Sequence, residues 1–414
     1  MKKTFKKITN LLLVSVMAAS ISACGQKDSA QNNSKETTIE TTAAAEAVTE
    51  AAQAAGTTEV AAPVSDADVD GELIVDHEEE LQYASKFTLT HYKGGYKMFT
   101  IPEAMGEKEY LIVPEGKSVP ADLSDHTVVL QQPVDKIASA VTAGISLIDQ
   151  MGGLDSIVAV ATEYEDWYLE NVSAKMEAGE IQYMGSYSEP DFELLMDLGT
   201  QVEFDSAMIL NKPEIMDKYE ELGIPCIVDY SSKEEHLLGR IEWIKLYGAL
   251  LGLSDEADEY FESQVEKVDT VSNLEKTGKT AVMYYKSKDT YYLRNAGDYV
   301  VSMLTLAGGE TIAPEVGAGK GGSTKMNAEE FYATCKDADY IFQVVFECPY
   351  NTIEEMIAYD ELFADFKAVK EGNVYTTIPG FSQSSAILAD VVVEINSVLN
   401  DPSIEATQNL IKIQ

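Results

Sequence analysis

The sequence predicts an α/β protein of two lobes joined by a single long spine helix, with a small N-terminal β-hairpin accessory. Three observations predict it. Short strand-like apolar runs alternate with helix-like stretches over residues 125–232; a proline-free stretch with helical spacing follows; the alternation then resumes over residues 277–414. Repeated β-α-β units with short connections imply a mostly parallel sheet covered by helices. The 344 residues from Gly71 onward are more than one core normally holds, which favours two lobes.

The chain opens with Lys2, Lys3, Lys6 and Lys7, followed by an apolar run from Leu11 to Ala23. That run is too short to span a bilayer and has the layout of a secretory signal over residues 1–23. Ile21-Ser22-Ala23-Cys24 resembles the lipobox of bacterial lipoproteins, in which cleavage precedes a cysteine bearing a diacylglycerol. An ordinary signal peptide cut near Ala19-Ser20-Ile21 or Ser22-Ala23 is the alternative. Two acyl chains would anchor the protein stably. No later apolar run reaches eighteen residues, so the expected location is the extracytoplasmic face of the cell membrane, held by lipid alone.

Residues 24–70 are rich in Ala, Thr, Glu and Ser and nearly free of aromatics, so they cannot bury enough surface to offset chain entropy. They read as a tether of roughly 35–40 Å mean reach. Residues 71–124 form the β-rich accessory: "FTLTHYKGGYKMFTI" and "KEYLIV" are strand-like, with a Gly94-Gly95 turn.

In the first lobe, "VDKIASAVTAGISLIDQMGG" is apolar at helical spacing and stops at Gly152-Gly153. "SIVAVAT", "QVEFDS" and "IPCIVDY" read as strands, and "EPDFELLMDLG" and "KPEIMDKYEELG" as helices. The spine covers residues 233–276 and would span roughly 60 Å if straight, with Gly252 and Ser254-Asp255 offering a place for a corner. In the second lobe, "TAVMYY", "DYIFQVVF" and "NVYTTI" are strand-like, and "GDYVVSMLTLAGG", "NAEEFYATCK" and "SSAILADVVVEINSVL" helix-like.

Composition excludes several partners. The net charge of −40 becomes −44 once the four lysines of the signal are removed, and such a surface repels nucleic acid and anionic headgroups. Cys226, Cys335 and Cys348 show neither a disulfide framework nor zinc spacing. His77, His91, His126 and His236 are scattered along the chain, so no metal site is expected. A surface-tethered hydrolase is the competing class. It would need a motif such as G-x-S-x-G or H-E-x-x-H, and neither occurs. "VGAGKGGSTK" fails the spacing of a phosphate loop.

"YSEPDFELLMDLG", "EELGIPCIVDYSS", "HLLGRIEWIKLYGALLG", "GDYVVSMLTLAGG", "AEEFYATCKDADYIF" and "GNVYTT" occur in that order between about residues 125 and 400. Together with the order lobe, long helix, lobe, they resemble the substrate-binding lipoproteins of ABC importers of the iron-siderophore, heme and cobalamin type. The resemblance implies two Rossmann-like lobes that hold a ligand between them. It also implies an ABC permease with its ATPase as partners, a monomeric state and no enzymatic activity. A ferric-siderophore-type chelate is the expected cargo, with heme or cobalamin as alternatives, and no cofactor is expected. By position in the matching stretches, the docking carboxylates would be Glu193 and Glu330, with Glu329 one residue away.

Loops at the carboxyl ends of strands carry the ligands of open α/β sheets. They nominate Trp167 and Tyr168 in "EYEDWY", Tyr187 in "GSYSE", and Lys286 and Arg294 in "YKSKDTYYLRN". The chain has only two arginines, Arg240 and Arg294. Arg294 could bind carboxylate, catecholate or hydroxamate oxygens, or form a surface pair. Arg240 reads as a structural residue of the hinge, and Trp167 as either an aromatic wall or core packing.

Overall fold

Five strands precede the first lobe: β1 (Val75–Glu78), β2 (Thr88–Tyr92), β3 (Lys97–Glu103), β4 (Gly106–Val113) and β5 (Val128–Gln131). They hydrogen-bond in chain order as one sheet. The computed structural model describes residues 72–103, 106–345 and 348–414, so the signal, Cys24 and the tether lie outside the described residues. Gly94 and Gly95 adopt φ of 84° and 86°, the left-handed backbone that turns β2 into β3. The sequence places residues 128–131 in the first lobe. Instead they run parallel to β4, where Leu130 is buried beside the wholly buried run from Tyr110 to Val113. An apolar strand of that kind needs a neighbour on both edges, and β5 supplies the second.

The first lobe contains β6 (Ile137–Ser139), α1 (Thr142–Gln150), β7 (Ile157–Val160), α2 (Glu170–Glu177), β8 (Gln182–Tyr183), the short pair β9 (Gly185–Ser186) and β10 (Glu189–Pro190), α3 (Phe192–Leu198), β11 (Val202–Ser206), α4 (Pro213–Glu221) and β12 (Cys226–Asp229). Its parallel sheet has the order β12-β11-β6-β7-β8. Ile137–Ser139, expected as the start of a helix, is the sheet's central strand. An apolar run buried on both faces carries no period that separates strand from helix. Elsewhere the local signals hold. Asp191 caps α3 by accepting the N–H of Leu194, and Gly199 ends it at φ 70°.

The connection between lobes is helical but is not one rod. It consists of α5 (Leu237–Glu242), α6 (Ile244–Leu251) and α7 (Ser254–Ser272). Gly252, at φ 74°, closes α6, and α7 turns back to pack against α6. The approach is so close that a Cβ at Gly248 would lie 2.6 Å from that of Ala257. The corner anticipated at Gly252 therefore folds the spine on itself, and its longest piece has 19 residues.

The second lobe holds β13 (Thr280–Ser287), β14 (Thr290–Arg294), α8 (Tyr299–Leu306), β15 (Glu310–Thr311), β16 (Ser323–Met326), α9 (Ala328–Cys335), β17 (Tyr340–Gln343), α10 (Ile353–Tyr359), α11 (Lys367–Glu371), β18 (Val374–Thr377), α12 (Leu388–Asn400) and β19 (Leu410–Lys412). The sheet order is β16-β14-β13-β17-β18-β19, with β15 beside the start of β13. The core strands β13, β17 and β18 are parallel, β14 and β19 run antiparallel to them, and β16 pairs antiparallel with β14. Tyr291–Arg294, expected as a loop, is thus a strand returning along β13. The glycine-rich segment before β16 is structural: Gly321 O accepts from Asn295 Nδ2 and Gly322 N–H donates to Asp298.

One continuous core links accessory sheet, first lobe, spine and helices α8 and α12. Two buried acids on the spine seat the accessory. Glu242 accepts the N–H groups of Gln82, Tyr83 and Ala84 at 2.7–2.8 Å. Glu234 accepts those of Ser85 and Lys86 together with the indole N–H of Trp243.

Candidate functional site

Strands β13, β17 and β18 point their carboxyl ends the same way, and the chain leaving each end lines a cavity of about 390 Å³. Tyr285 and Lys286 come from β13, Arg294 from the end of β14, and Tyr299 from the first turn of α8. Val344 and Val345 follow β17, and Phe381 and Ser382 follow β18. This is where ligands of open α/β sheets sit, and the volume falls in the range of small-molecule sites.

Arg294 is the distinctive group of this cavity. Its Nε is buried without a hydrogen bond, and its nearest carboxylate, Asp298 Oδ1, stands 3.9 Å from Nη1. Asp298 is otherwise engaged: it caps α8 through the N–H of Val300 and also accepts from Gly322. The guanidinium lies 5.2 Å from the centre of the Tyr285 ring, which itself stacks on Tyr292. A cation on an aromatic shelf with an incomplete ion pair has donors to offer an anionic or oxygen-rich ligand.

Lys286 shares the cavity but is neutralised. Its ammonium pairs with Asp360, which also accepts the Tyr291 hydroxyl. Burial alone would push the Asp360 carboxyl up, but the hydrogen bonds from Lys286 and Tyr291 outweigh it and hold it below the usual carboxylate range.

From the first lobe, Tyr168 meets the second lobe next to the cavity. It presses against Gly380, where a Cβ would come within 2.4 Å of the tyrosine side chain, beside Phe381 and Ser382. The lobes are stitched there by one amide: Gln383 Oε1 accepts the Tyr168 N–H and its Nε2 donates to Asp166 O. Ser385 N–H donates to Ser146 Oγ nearby.

Two other nominees lie elsewhere. Trp167 is 7% exposed, sits in the core and spends its indole N–H on Thr162 O, so packing rather than an aromatic wall is what the structure shows. Tyr187 packs half-buried on the first lobe's own core. Conversely, Tyr285, Tyr299, Phe381 and Ser382 were not nominated. They come from three places in the chain, β13, α8 and the turn after β18, and the sheet order brings these together. Arg240, read as a structural residue of the hinge, donates to Ser232 O and stacks on Tyr299 at 3.8 Å, so it backs the cavity wall.

A family profile described as periplasmic binding protein matches residues 137–379. The chain belongs to that family. The matched stretch takes in the first lobe, the spine and six of the eight residues lining the cavity, Phe381 and Ser382 lying just beyond it, while the whole accessory sheet precedes it. An uncharacterised lipoprotein of Methanocaldococcus jannaschii is 26% identical over 77% of this chain and 81% of its own length. A periplasmic binding protein of Veillonella parvula shares the fold at 16% identity, covering 72% of this chain and 96% of its own, with a TM-score of 0.54. The siderophore-binding protein BauB, solved with two acinetobactin molecules and ferric iron, does so at 16% identity, covering 73% of this chain and 98% of its own, with a TM-score of 0.52.

Glu193 and Glu330 are both exposed, in the first turns of α3 and α9. The Glu330 carboxylate closes a capping box by accepting the N–H of Asn327, whereas Glu329 makes no hydrogen bond or ion pair among the described residues. The histidines are not all scattered: antiparallel pairing of β1 and β2 sets His77 opposite His91, a cross-strand register that spacing along the chain does not reveal.

Proposed function

We propose that this periplasmic binding protein is the lipid-anchored, extracytoplasmic receptor of an ABC importer and that its cargo is a ferric-siderophore-type chelate. The observation that carries the cargo reading is Arg294, with its incomplete ion pair and its aromatic neighbours Tyr285 and Tyr299 in a cavity at the strand ends of the second lobe. Ferric catecholates and hydroxamates present negative, oxygen-rich faces and flat aromatic or amide edges, which suit a guanidinium beside tyrosines. BauB, bound to a ferric complex, shares the fold, which supports the reading. Cys24 would carry the lipid; its lipobox-like context and the lipoprotein relative support that, and no described helix is long and apolar enough to cross a membrane. Glu193 and Glu330 would meet arginines of the permease through charge-assisted pairs.

Intrinsic fluorescence titration of the purified protein with ferric catecholate, hydroxamate and citrate chelates tests the cargo. Saturable binding of one class, weakened at least about tenfold by Arg294→Ala, is the expected result; a tenfold loss corresponds to about 1.4 kcal/mol. Equal affinity of the variant would remove Arg294 from the site. Binding of heme or cobalamin alone would replace the cargo.

A further inference from the structure

Strand β1 carries a second kind of chemistry, away from the sheet ends that build the second lobe's cavity. His77 and Glu79 are two residues apart and so share a face of β1 as its pairing with β2 continues, where Glu79 N–H donates to Leu89 O. The partner strand places His91 opposite His77, with the two rings stacked at 4.3 Å. One nitrogen of each ring and one carboxylate oxygen lie within 4.8 Å of one another. We propose that His77, Glu79 and His91 form a binding site for a zinc-class divalent transition ion.

Each ligand atom is prepared for that role. His77 Nδ1 lies 3.0 Å from Asp76 Oδ2, so that ring donates its proton there and keeps the Nε2 lone pair free. A carboxylate behind a histidine is the usual outer partner of a metal-binding imidazole. His91 Nε2 is buried and makes no hydrogen bond, although Glu79 Oε2 is only 3.2 Å away. With bonds of about 2.0–2.1 Å, two ligands of one tetrahedral ion stand roughly 3.3 Å apart. The spacing is thus that of two ligands on one centre.

Lys245 does not block the site. It takes the other oxygen, Glu79 Oε1, at 2.6 Å and is balanced further by Asp258 at 3.2 Å. Lys97, opposite His91 across the sheet, spends its ammonium on Ser254 Oγ. Lys97 keeps its charge beside His91, yet Asp76, Glu79 and Asp258 still outnumber Lys245 and Lys97 by three to two around the site, which favours a cation. His77 is 55% exposed on its side chain, so it can swing to the ion, and water can fill the fourth position. Two imidazoles and one carboxylate select zinc, nickel or copper over magnesium or calcium. Binding would clamp β1, an edge strand exposed throughout, onto β2.

The test is a Zn²⁺ titration of the full-length protein against a chromophoric indicator, paired with thermal unfolding. We expect one equivalent bound and a higher Tm with Zn²⁺. His77→Ala, at an exposed position that leaves folding intact, should weaken binding by at least about tenfold, the scale on which even outer partners of a ligand are felt, and should abolish the Tm rise. His126→Ala should bind as wild type does, and Mg²⁺ should give no response. Absence of saturable binding, unchanged affinity in His77→Ala, or loss of binding on blocking the thiols of Cys226, Cys335 and Cys348 would overturn the assignment.

Discussion

The guanidinium of Arg240 lies 3.8 Å from the centre of the Tyr299 ring, joining the first helix of the spine to a wall of the second lobe's cavity. Arg240 also donates to Ser232 O, at the end of the first lobe. One side chain thus touches the first lobe, the hinge and the second lobe's site. Any rotation of the lobes that separates α5 from α8 must break this stack.

Arg240→Met keeps the aliphatic stem and removes the cation. A stacked guanidinium contributes about 0.5–2 kcal/mol, so cargo affinity should fall roughly three- to thirtyfold. Calorimetry on the variant checks this, and unchanged affinity together with unchanged stability would make the contact incidental.

The proposed docking carboxylates would separate binding from delivery. The double variant Glu193→Ala, Glu330→Ala should hold cargo as tightly as wild type yet fail to support uptake in cells. Uptake at the wild-type rate would move the docking contact elsewhere. Because Glu330 also caps α9, the single variant Glu329→Ala is the control: if it alone stops uptake, the second-lobe contact belongs to Glu329.

Glu242 binds three backbone N–H groups with one buried carboxylate. Glu242→Gln puts an NH₂ group where an acceptor is needed and leaves at least one buried donor unpaired, at about 1–3 kcal/mol each. The urea midpoint should drop accordingly. An unchanged midpoint would mean that the accessory is held by its apolar contacts alone.

Stability should also depend on pH through β11. Asp205 is buried with neither carboxylate oxygen hydrogen-bonded, and burial pushes its carboxyl up to about 7. Burial, and then the charge of Asp205, pushes Glu203 well above the usual range. Both groups hold protons in the fold that the unfolded chain releases near pH 4, so this contribution is complete below about pH 4 and is lost as pH rises through 7. For Asp205 the change approaches about 4 kcal/mol at 1.36 kcal/mol per pH unit. Asp205→Asn should flatten the profile between pH 4 and 8 in urea melts; a slope parallel to wild type would refute the assignment.

Much of this molecule was legible from local chemistry. The Gly94-Gly95 turn, the cap of α3 at Asp191 with its stop at Gly199, and Pro213 opening α4 all act within a few residues. What escaped depends on contacts across long separations. β6 is an apolar triplet whose neighbours β7 and β11 identify it as a strand. Arg294 and Lys286 were nominated because they follow a strand that ends in a charged, aromatic loop. Tyr299 and Phe381 are ordinary aromatics until the sheet order puts them beside Arg294. Trp167 carries the residue type of a binding wall, but its neighbours Thr162 and the surrounding core claim it. The pairing of His77 with His91 is a matter of register, which no spacing rule reads.

The seat made by Glu234 and Glu242 has a mechanical consequence. Residues 82–86 are bolted to the start of the spine, the pivot about which the lobes would turn. Tension arriving through the chain before β1 is therefore delivered close to the pivot, with a short lever arm on either lobe. Were Cys24 lipidated as proposed, a receptor held this way would be tugged without being pried open, and its grip on cargo would be left to the cavity.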